Sequence, residues 1–266
     1  MVEMPEQCFH HIRQWLYQQS GIHLSVDKKS MVSARLQKRL RQLQLNCFEQ
    51  YMHLLDQHDQ VEERQLALNS LTTNETYFFR EQAHFEFLRQ HLAVLKKQSS
   101  LRIWSAAAST GEEAYSLAML LAEQLGLQHN WRLTGTDINN EVLEQARKGV
   151  YDLRQTERIA RSMLQTYCLK GVGKDQGKFM LRPELRAKVD FRQANLMDLP
   201  AMSEKFDVIF LRNILIYFKL EDKKHIVNSV LKQLKPGGLL IVGHTESING
   251  YHPDIKLLQP SCYRWK

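Results

Sequence analysis

The chain has 266 residues, 43% of them apolar and 24% charged, with 12 glycines and 6 prolines. That length and composition support a packed core and exclude a disordered or low-complexity protein, leaving room for one large domain or a main domain with a smaller companion. The formal net charge of +7 points to an acidic partner, which nucleic acid, an anionic membrane or an acidic protein would each satisfy.

No basic stretch followed by an apolar one occupies Met1–His11. The longest apolar runs, Val208–Leu211 and Ile214–Phe218, fall far short of the ~20 residues of a membrane helix. A cytoplasmic protein without membrane insertion is therefore expected. Cys8, Cys47, Cys168 and Cys262 are scattered, with no CxxC pair and no histidines at ligand spacing, so reduced thiols and no metal are expected.

The first seventy residues predict an all-helical domain. Phe9, Ile12 and Leu16 fall at helical spacing before a stop at Gly21, Val32, Leu36, Leu40 and Leu43 form a second stripe, and Phe48, Tyr51, Met52 and Leu55 a third. The second helix carries Arg35, Lys38, Arg39 and Arg41, with no acidic residue between Lys28 and Phe48. A solvated helix face and a docking surface for an acidic partner both account for that pattern.

From Leu101 strands and helices alternate. Leu101–Ala106 is a strand leading through Ser109-Thr110-Gly111-Glu112-Glu113 into a helix with Ala114, Leu117, Leu121 and Leu125, closed by Gly126. Trp131–Thr136 is a second strand ending at Asp137, Glu141–Lys148 a helix closed by Gly149, and Val189–Gln193 and Phe206–Leu211 are further strands. Glu221–Leu234 is an amphipathic helix ended by Lys235-Pro236-Gly237-Gly238, before a strand at Leu239–Gly243. Lys256–Leu258 and Cys262–Trp265 suit a closing antiparallel hairpin. The fold class is thus α/β, a mostly parallel sheet covered by helices. Between Tyr151 and Lys188 the alternation breaks into a polar helix near Glu157–Leu164, glycine turns at Gly171-Val172-Gly173 and Gly177, and strand-like pieces around Phe179–Leu181, which read as an inserted basic subdomain.

Ligands of open α/β sheets bind beyond the carboxyl ends of the strands. The turn Ala106–Glu113 is the place for one, with small residues that admit a ligand to the backbone. It is neither GxGxxG nor a Walker loop. Glu113 fits a capping box with Thr110; as a ligand group, its charge opposes phosphate and suits a positive amino group. Asp137 suits hydrogen bonds to ribose hydroxyls, against the alternative of an Asx turn that caps the next helix.

Four motifs then carry a resemblance. Leu71-Thr72-Thr73-Asn74-Glu75-Thr76-Tyr77-Phe78-Phe79-Arg80-Glu81, Trp104 to Ser116, Arg212-Asn213-Ile214-Leu215-Ile216-Tyr217-Phe218 and Gly243-His244-Thr245-Glu246-Ser247 are similar, in order, to those of the CheR family of chemotaxis-receptor glutamate O-methyltransferases. The resemblance implies a Rossmann-like S-adenosylmethionine-dependent methyltransferase domain at 83–266, a helical receptor-docking domain at 1–70, a linker at 71–82 that contributes to the cofactor site, and an inserted β subdomain at 152–188. It implies that Asn74, Thr76, Arg80, Glu113, Asp137, Asn195, Leu196, Arg212 and Asn213 hold S-adenosylmethionine. Glu113 would take its methionyl end, Asp137 its ribose, and Asn195 and Leu196 its adenine. Arg80 and Tyr217 would be catalytic, the first orienting a carboxylate and the second lying near the methyl group.

The implied partners are the acidic methylation helices of chemoreceptors, met by Arg35, Lys38, Arg39 and Arg41. An intact loop at Gly171–Gly173 goes, in that family, with docking of a receptor C-terminal pentapeptide. Ala114 stands where the family often has proline, which affects the first helical turn only. An ionised acceptor carboxylate needs no general base, in keeping with a sequence that offers no compelling catalytic dyad. A nucleic-acid methyltransferase would also suit the charge, but Arg212-Asn213-Ile214-Leu215 is not an amine-methylation motif, and no Pro-Cys nucleophile is present. A non-catalytic cofactor-sensing protein that binds receptors is the remaining alternative, opposed by intact Arg80, Asp137 and Tyr217.

Overall fold

The structure, a computed structural model, describes residues 2–96, 99–200 and 202–266. The chain divides into two compact units. One comprises the residues up to Thr73 together with Tyr217–Asp222, the other Asn74–Ile216 and Lys223–Lys266. Among the described residues no helix is long and apolar enough to cross a membrane.

The first unit is built of α1 (Glu6–Ser20), α2 (Lys29–Gln42), α3 (Phe48–Asp56) and α4 (Val61–Leu71). Gly21 ends α1 at φ 73°, where its N–H reaches the carbonyl of Tyr17 at 2.7 Å. Phe9, Ile12, Leu16, Val32, Leu36, Leu40, Phe48, Tyr51 and Leu55 are all buried, so the three apolar stripes face one core. α4 carries no such stripe, because Glu63 and Asn69 are among its buried residues. Glu63 accepts hydrogen bonds from Arg39 Nε (3.0 Å) and Tyr51 Oη (2.7 Å), and pairs with Arg39 Nη2 as well. Arg35 Nη1 donates to the carbonyls of Leu71 (3.0 Å) and Thr72 (2.9 Å), capping the end of α4. The uncompensated basic face expected of α2 is thereby corrected: Arg35 and Arg39 tie α2 to α4, and only Lys38 and Arg41 are exposed. Tyr217–Asp222 packs in this unit as well, with His23 N–H donating to Tyr217 O (2.8 Å) and Tyr17 Oη to Asp222 (3.1 Å).

The second unit begins with the linker and α5 (Gln82–Leu95), then β1 (Leu101–Ala106), α6 (Glu112–Leu125), β2 (Trp131–Asp137) and α7 (Asn140–Lys148). The insert follows: β3 (Val150–Asp152), a 3-10 turn at Leu153–Arg158, α8 (Arg161–Tyr167), β4 (Cys168–Lys170), β5 (Lys178–Leu181) and α9 (Pro183–Arg186). Its strands form an antiparallel sheet in the order β3-β5-β4. The expected helix at Glu157–Leu164 is corrected to the 3-10 turn plus α8, parted at Ile159 and Ala160. β6 (Val189–Gln193), β7 (Phe206–Leu211), α10 (Leu220–Leu231), β8 (Leu234–Val242), β9 (Ile255–Gln259) and β10 (Cys262–Trp265) complete the chain.

The main sheet runs β6-β2-β1-β7-β8-β10-β9, parallel up to β8 and antiparallel at β10 and β9. β7 is buried at every residue, as a strand covered on both faces must be. Strand order reverses at β1, which lies between β2 and β7, so the crevice at the carboxyl ends of β1 and β7 is the switch point where a ligand fits.

The boundary near Lys235 departs from expectation. The helix ends at Leu231 and the strand already begins at Leu234, running through Lys235-Pro236-Gly237-Gly238. Phe206 pairs with Leu234 and Val208 with Leu239, so those four residues bulge opposite Asp207, whose carboxylate takes Lys235 Nζ at 2.8 Å. A bulge is where a strand tolerates proline and a glycine at φ 78°.

Candidate functional site

Three segments meet at the switch point: the turn after β1, the end of β7, and the linker Asn74–Glu81. Each is fixed by identified hydrogen bonds. Asp137, at the end of β2, accepts from Ser109 N–H (2.9 Å) with one oxygen and from Asn139 N–H (3.0 Å) with the other. It therefore makes the Asx turn and also holds the ligand turn, where Ala107 and Ser109 adopt positive φ (69° and 50°). Burial raises its pKa, and the surrounding N–H groups oppose that rise. Ser109 Oγ donates to the carbonyl of Asn74 (2.8 Å), and Phe79 N–H to Ser116 Oγ (2.9 Å), which fastens the linker over the start of α6.

Glu113 does not close a capping box. Gly111, at φ 96°, is the N-cap residue and provides no side-chain bond; Thr110 Oγ1 bonds Glu112 instead, at 2.6 Å. Glu113 turns toward the sheet, accepting from Ser105 Oγ (2.6 Å) and Arg212 Nη1 (2.8 Å). Gly111 is required both by its φ and by space, since a Cβ there would lie 2.9 Å from Ala146 Cβ and from Tyr151 Oη.

Arg212 is the centre of the site. Its side chain is 1% exposed and donates to Glu113, to Glu81 Oε2 (2.9 Å from Nη2, 3.3 Å from Nε) and to the carbonyl of Arg80. It is thus a buried clamp between two carboxylates. Burial pushes the Glu81 carboxyl up, but the Asn213 amide at 3.0 Å and the Arg212 charge outweigh it and hold its pKa at about 2. The Glu81–Arg212–Glu113 triad carries a net charge of about −1, which fits the positive amino group of a methionyl ligand and opposes phosphate.

Glu246 organises the strand ends. Buried at 6% exposure, it accepts from the N–H groups of Gly243 (2.7 Å), Asn213 (2.8 Å) and Ile216 (3.3 Å). Asn213 has a positive φ of 56°, and Gly243 leaves no room for a Cβ, which would meet Glu246 Oε2 at 2.7 Å and Asn213 N at 2.9 Å. One carboxylate thus joins the ends of β7 and β8.

Glu81, His84 and His244 bring potential metal-ligand atoms within 4.8 Å of one another. His84 is 1% exposed and neither ring nitrogen makes an aligned hydrogen bond, although Nδ1 lies 3.3 Å from Glu81 Oε2. Burial, and then the Arg212 charge, lower its pKa to about 3. That same guanidinium occupies Glu81 and opposes a cation.

Asn195 and Leu196 follow the end of β6, where Ala194 N–H bonds the carbonyl of Asp137 (2.9 Å) and Asn195 Oδ1 accepts from Met197 N–H (3.0 Å). Arg80 Nη1 donates to the carbonyl of Glu75 (3.0 Å). Thr76 is half-buried on the linker, and Tyr217 groups with the helical unit. The structure therefore gathers Asn74 and Asp137 around Ser109, and Arg80, Glu113 and Asn213 around Arg212 and Glu81. Sequence reasoning missed Glu81 and Glu246. Both lie inside the four motifs; for Glu246 the available signal was a lone acidic residue in the turn Gly243-His244-Thr245-Glu246-Ser247 after a strand.

A mostly parallel sheet with an anionic clamp at the switch point and an acidic residue at the end of the neighbouring strand fits an S-adenosylmethionine-dependent methyltransferase. Two family models match, "CheR methyltransferase, all-alpha domain" over residues 7–72 and "CheR methyltransferase, SAM binding domain" over residues 74–263. The chain belongs to the CheR methyltransferase family. It is 39% identical over 257 residues to the chemotaxis protein methyltransferase of Salmonella typhimurium, spanning 96% of this chain and 88% of that one. It is 42% identical over 243 residues to that of Escherichia coli K12 (91% and 84%), and 40% identical over 242 residues to chemotaxis protein methyltransferase 2 of Pseudomonas aeruginosa (90% and 86%).

Proposed function

We propose that this methyltransferase esterifies glutamate side chains of chemoreceptors, acting in the cytoplasm. The observation that carries this reading is that the four carboxylates fixed at the strand ends and the clamp, Glu81, Glu113, Asp137 and Glu246, are already engaged. Glu81 and Glu113 hold Arg212, while Asp137 and Glu246 hold backbone N–H groups. None stands ready to remove a proton, so the acceptor that suits the site is one that arrives as an anion, as a glutamate with an ordinary pKa of ~4.3 does at neutral pH. Bound S-adenosylmethionine would supply an electrophilic methyl, which an acceptor carboxylate would take as its methyl ester, with the C–S bonding electrons left on the sulfur of S-adenosylhomocysteine.

The protein's part is binding and alignment. Glu113, held by Arg212 and Ser105, takes the methionyl amino group, and Asp137 keeps lone-pair capacity for the ribose beyond what its backbone bonds use. Asn74, Thr76, Asn195, Leu196 and Asn213 complete the cofactor contacts. Arg80 orients a carboxylate and Tyr217 the methyl group.

Lys38 and Arg41, exposed on α2, meet the acidic methylation helices, and the loop at Gly171–Gly173 receives a receptor C-terminal pentapeptide. Labelled S-adenosylmethionine with a receptor cytoplasmic fragment tests the acceptor. Changing the acceptor glutamates to glutamine should abolish labelling; undiminished labelling of that fragment would defeat the proposal.

A further inference from the structure

Tyr77, on the linker, has two guanidinium groups against its ring. Arg158 Cζ lies 4.4 Å from the ring centre and Arg80 Cζ 5.6 Å, both within cation–π range. Arg158 ends the 3-10 turn of the insert, which is itself tied to α6 by Gln155 Nε2 and Glu112 Oε1 at 3.3 Å. The linker is fastened on both sides of Tyr77, by Asn74 to the ligand turn and by Arg80 O to Arg212. The pair of cations is therefore held at the rim of the cofactor site.

Neither arginine has a carboxylate partner among the described residues, unlike Arg154 of the same 3-10 turn, which pairs with Asp152. Two charges that share one ring stand no more than about 10 Å apart, a separation at which salt at 0.1 M only partly screens their repulsion. An anion placed between them relieves that repulsion. Two carboxylates three or four residues apart on one helix lie about 5–6 Å apart at Cβ, a spacing that lets both guanidiniums be met at once.

We infer that Arg80, Tyr77 and Arg158 form an acceptor-side recognition patch for an acidic helical protein segment, Arg158 supplying charge that fixes the substrate beside the transferred methyl group. The inference rests on the carboxylate-acceptor reading above. It assigns to Arg158 a role in substrate affinity and none in holding the cofactor.

The test uses the full chain with S-adenosylhomocysteine bound and a fluorescent glutamate-rich helical peptide from a receptor methylation region, with anisotropy giving its affinity. Arg158→Ala should weaken the peptide about 3- to 10-fold and Arg158→Glu more, as expected for a partly screened charge contact. Arg158→Lys should fall between wild type and Ala, and the differences should shrink with added salt. S-adenosylhomocysteine affinity, by calorimetry, should stay within about twofold throughout, because Arg158 packs on Tyr77, which is not one of the cofactor-binding residues. Unchanged peptide affinity in Arg158→Glu, or a matching loss of S-adenosylhomocysteine affinity, overturns the patch. If the peptide binds in this charge-dependent manner but wild type places no methyl ester on it, the acceptor reading fails instead.

Discussion

Replacing Arg212 by methionine removes the cation that Glu81 and Glu113 share and leaves two carboxylates facing each other in a buried site. The guanidinium stands 2.9 Å from one and 2.8 Å from the other. Without it the two charges, about 5–6 Å apart, repel by about 3 kcal/mol at an effective dielectric constant of 20. Unmaking a buried ion pair by deleting one partner costs about 3–5 kcal/mol, so Arg212→Met should lose stability of that order at pH 8. The loss should be smaller at pH 5.5, because mutual repulsion in the folded variant favours protonation of one of the two carboxylates, and relative stability then returns as pH falls.

Adding Glu81→Gln should restore about 2 kcal/mol, since one charge then remains where two had faced each other. S-adenosylhomocysteine affinity should fall in Arg212→Met, because Glu113 loses the group that orients it. Urea denaturation at both pH values, with calorimetry of S-adenosylhomocysteine binding, reads all of this. An Arg212→Met protein within 1 kcal/mol of wild type at both pH values, or no recovery in the double variant, would refute the clamp.

Gly243→Ala forces a Cβ to within 2.9 Å of the Asn213 backbone, so it should cost about 1–3 kcal/mol and weaken S-adenosylhomocysteine binding, as denaturation and calorimetry would show. His84 is held neutral when folded, at a pKa of about 3 against 6.5 when free. The unfolded chain binds the extra proton, so stability is complete above pH 6.5 and falls as pH drops from there toward 3. Between pH 7 and pH 5 this group alone should account for about 2 kcal/mol, and His84→Phe should flatten that part of a urea-midpoint profile. Arg39→Met should destabilise the chain by about 3 kcal/mol by stranding buried Glu63. Lys38→Glu with Arg41→Glu should leave the urea midpoint unchanged while raising KM for receptor. Initial methylation rates should be flat from about pH 6.5 to 9, since an acceptor of pKa ~4.3 is already ionised; a rate that climbs with pH would indicate a protonated acceptor.

The apolar periods of α1 to α3 and the buried strands β1, β2 and β7 were legible because each repeats a burial pattern within its own segment. α4 carried no such signal, since its inward face includes Glu63. The partner of Arg39 lies 24 residues away, beyond any local rule for charge compensation. Lys235-Pro236-Gly237-Gly238 read as a turn, and the bulge that keeps it in a strand depends on Asp207 across the sheet.

The same limit applies at the site. Glu113 and Asp137 were visible from their places after strands, whereas the clamp joins residues 131 and 99 positions apart. Glu113 matched the capping-box spacing as well as it matched a ligand role, and only the burial of Arg212 beside it decides which bond forms.

The central claim, methyl transfer from S-adenosylmethionine to a protein carboxylate, is tested most directly by the chemistry of the transferred label. The chain is incubated with methyl-labelled S-adenosylmethionine and, in separate arms, chemoreceptor-containing membranes or RNA, and the products are treated with mild alkali. Label in the receptor band that alkali releases as methanol, with none in RNA, is the predicted result. Label in RNA, or alkali-stable label in the receptor, would contradict it.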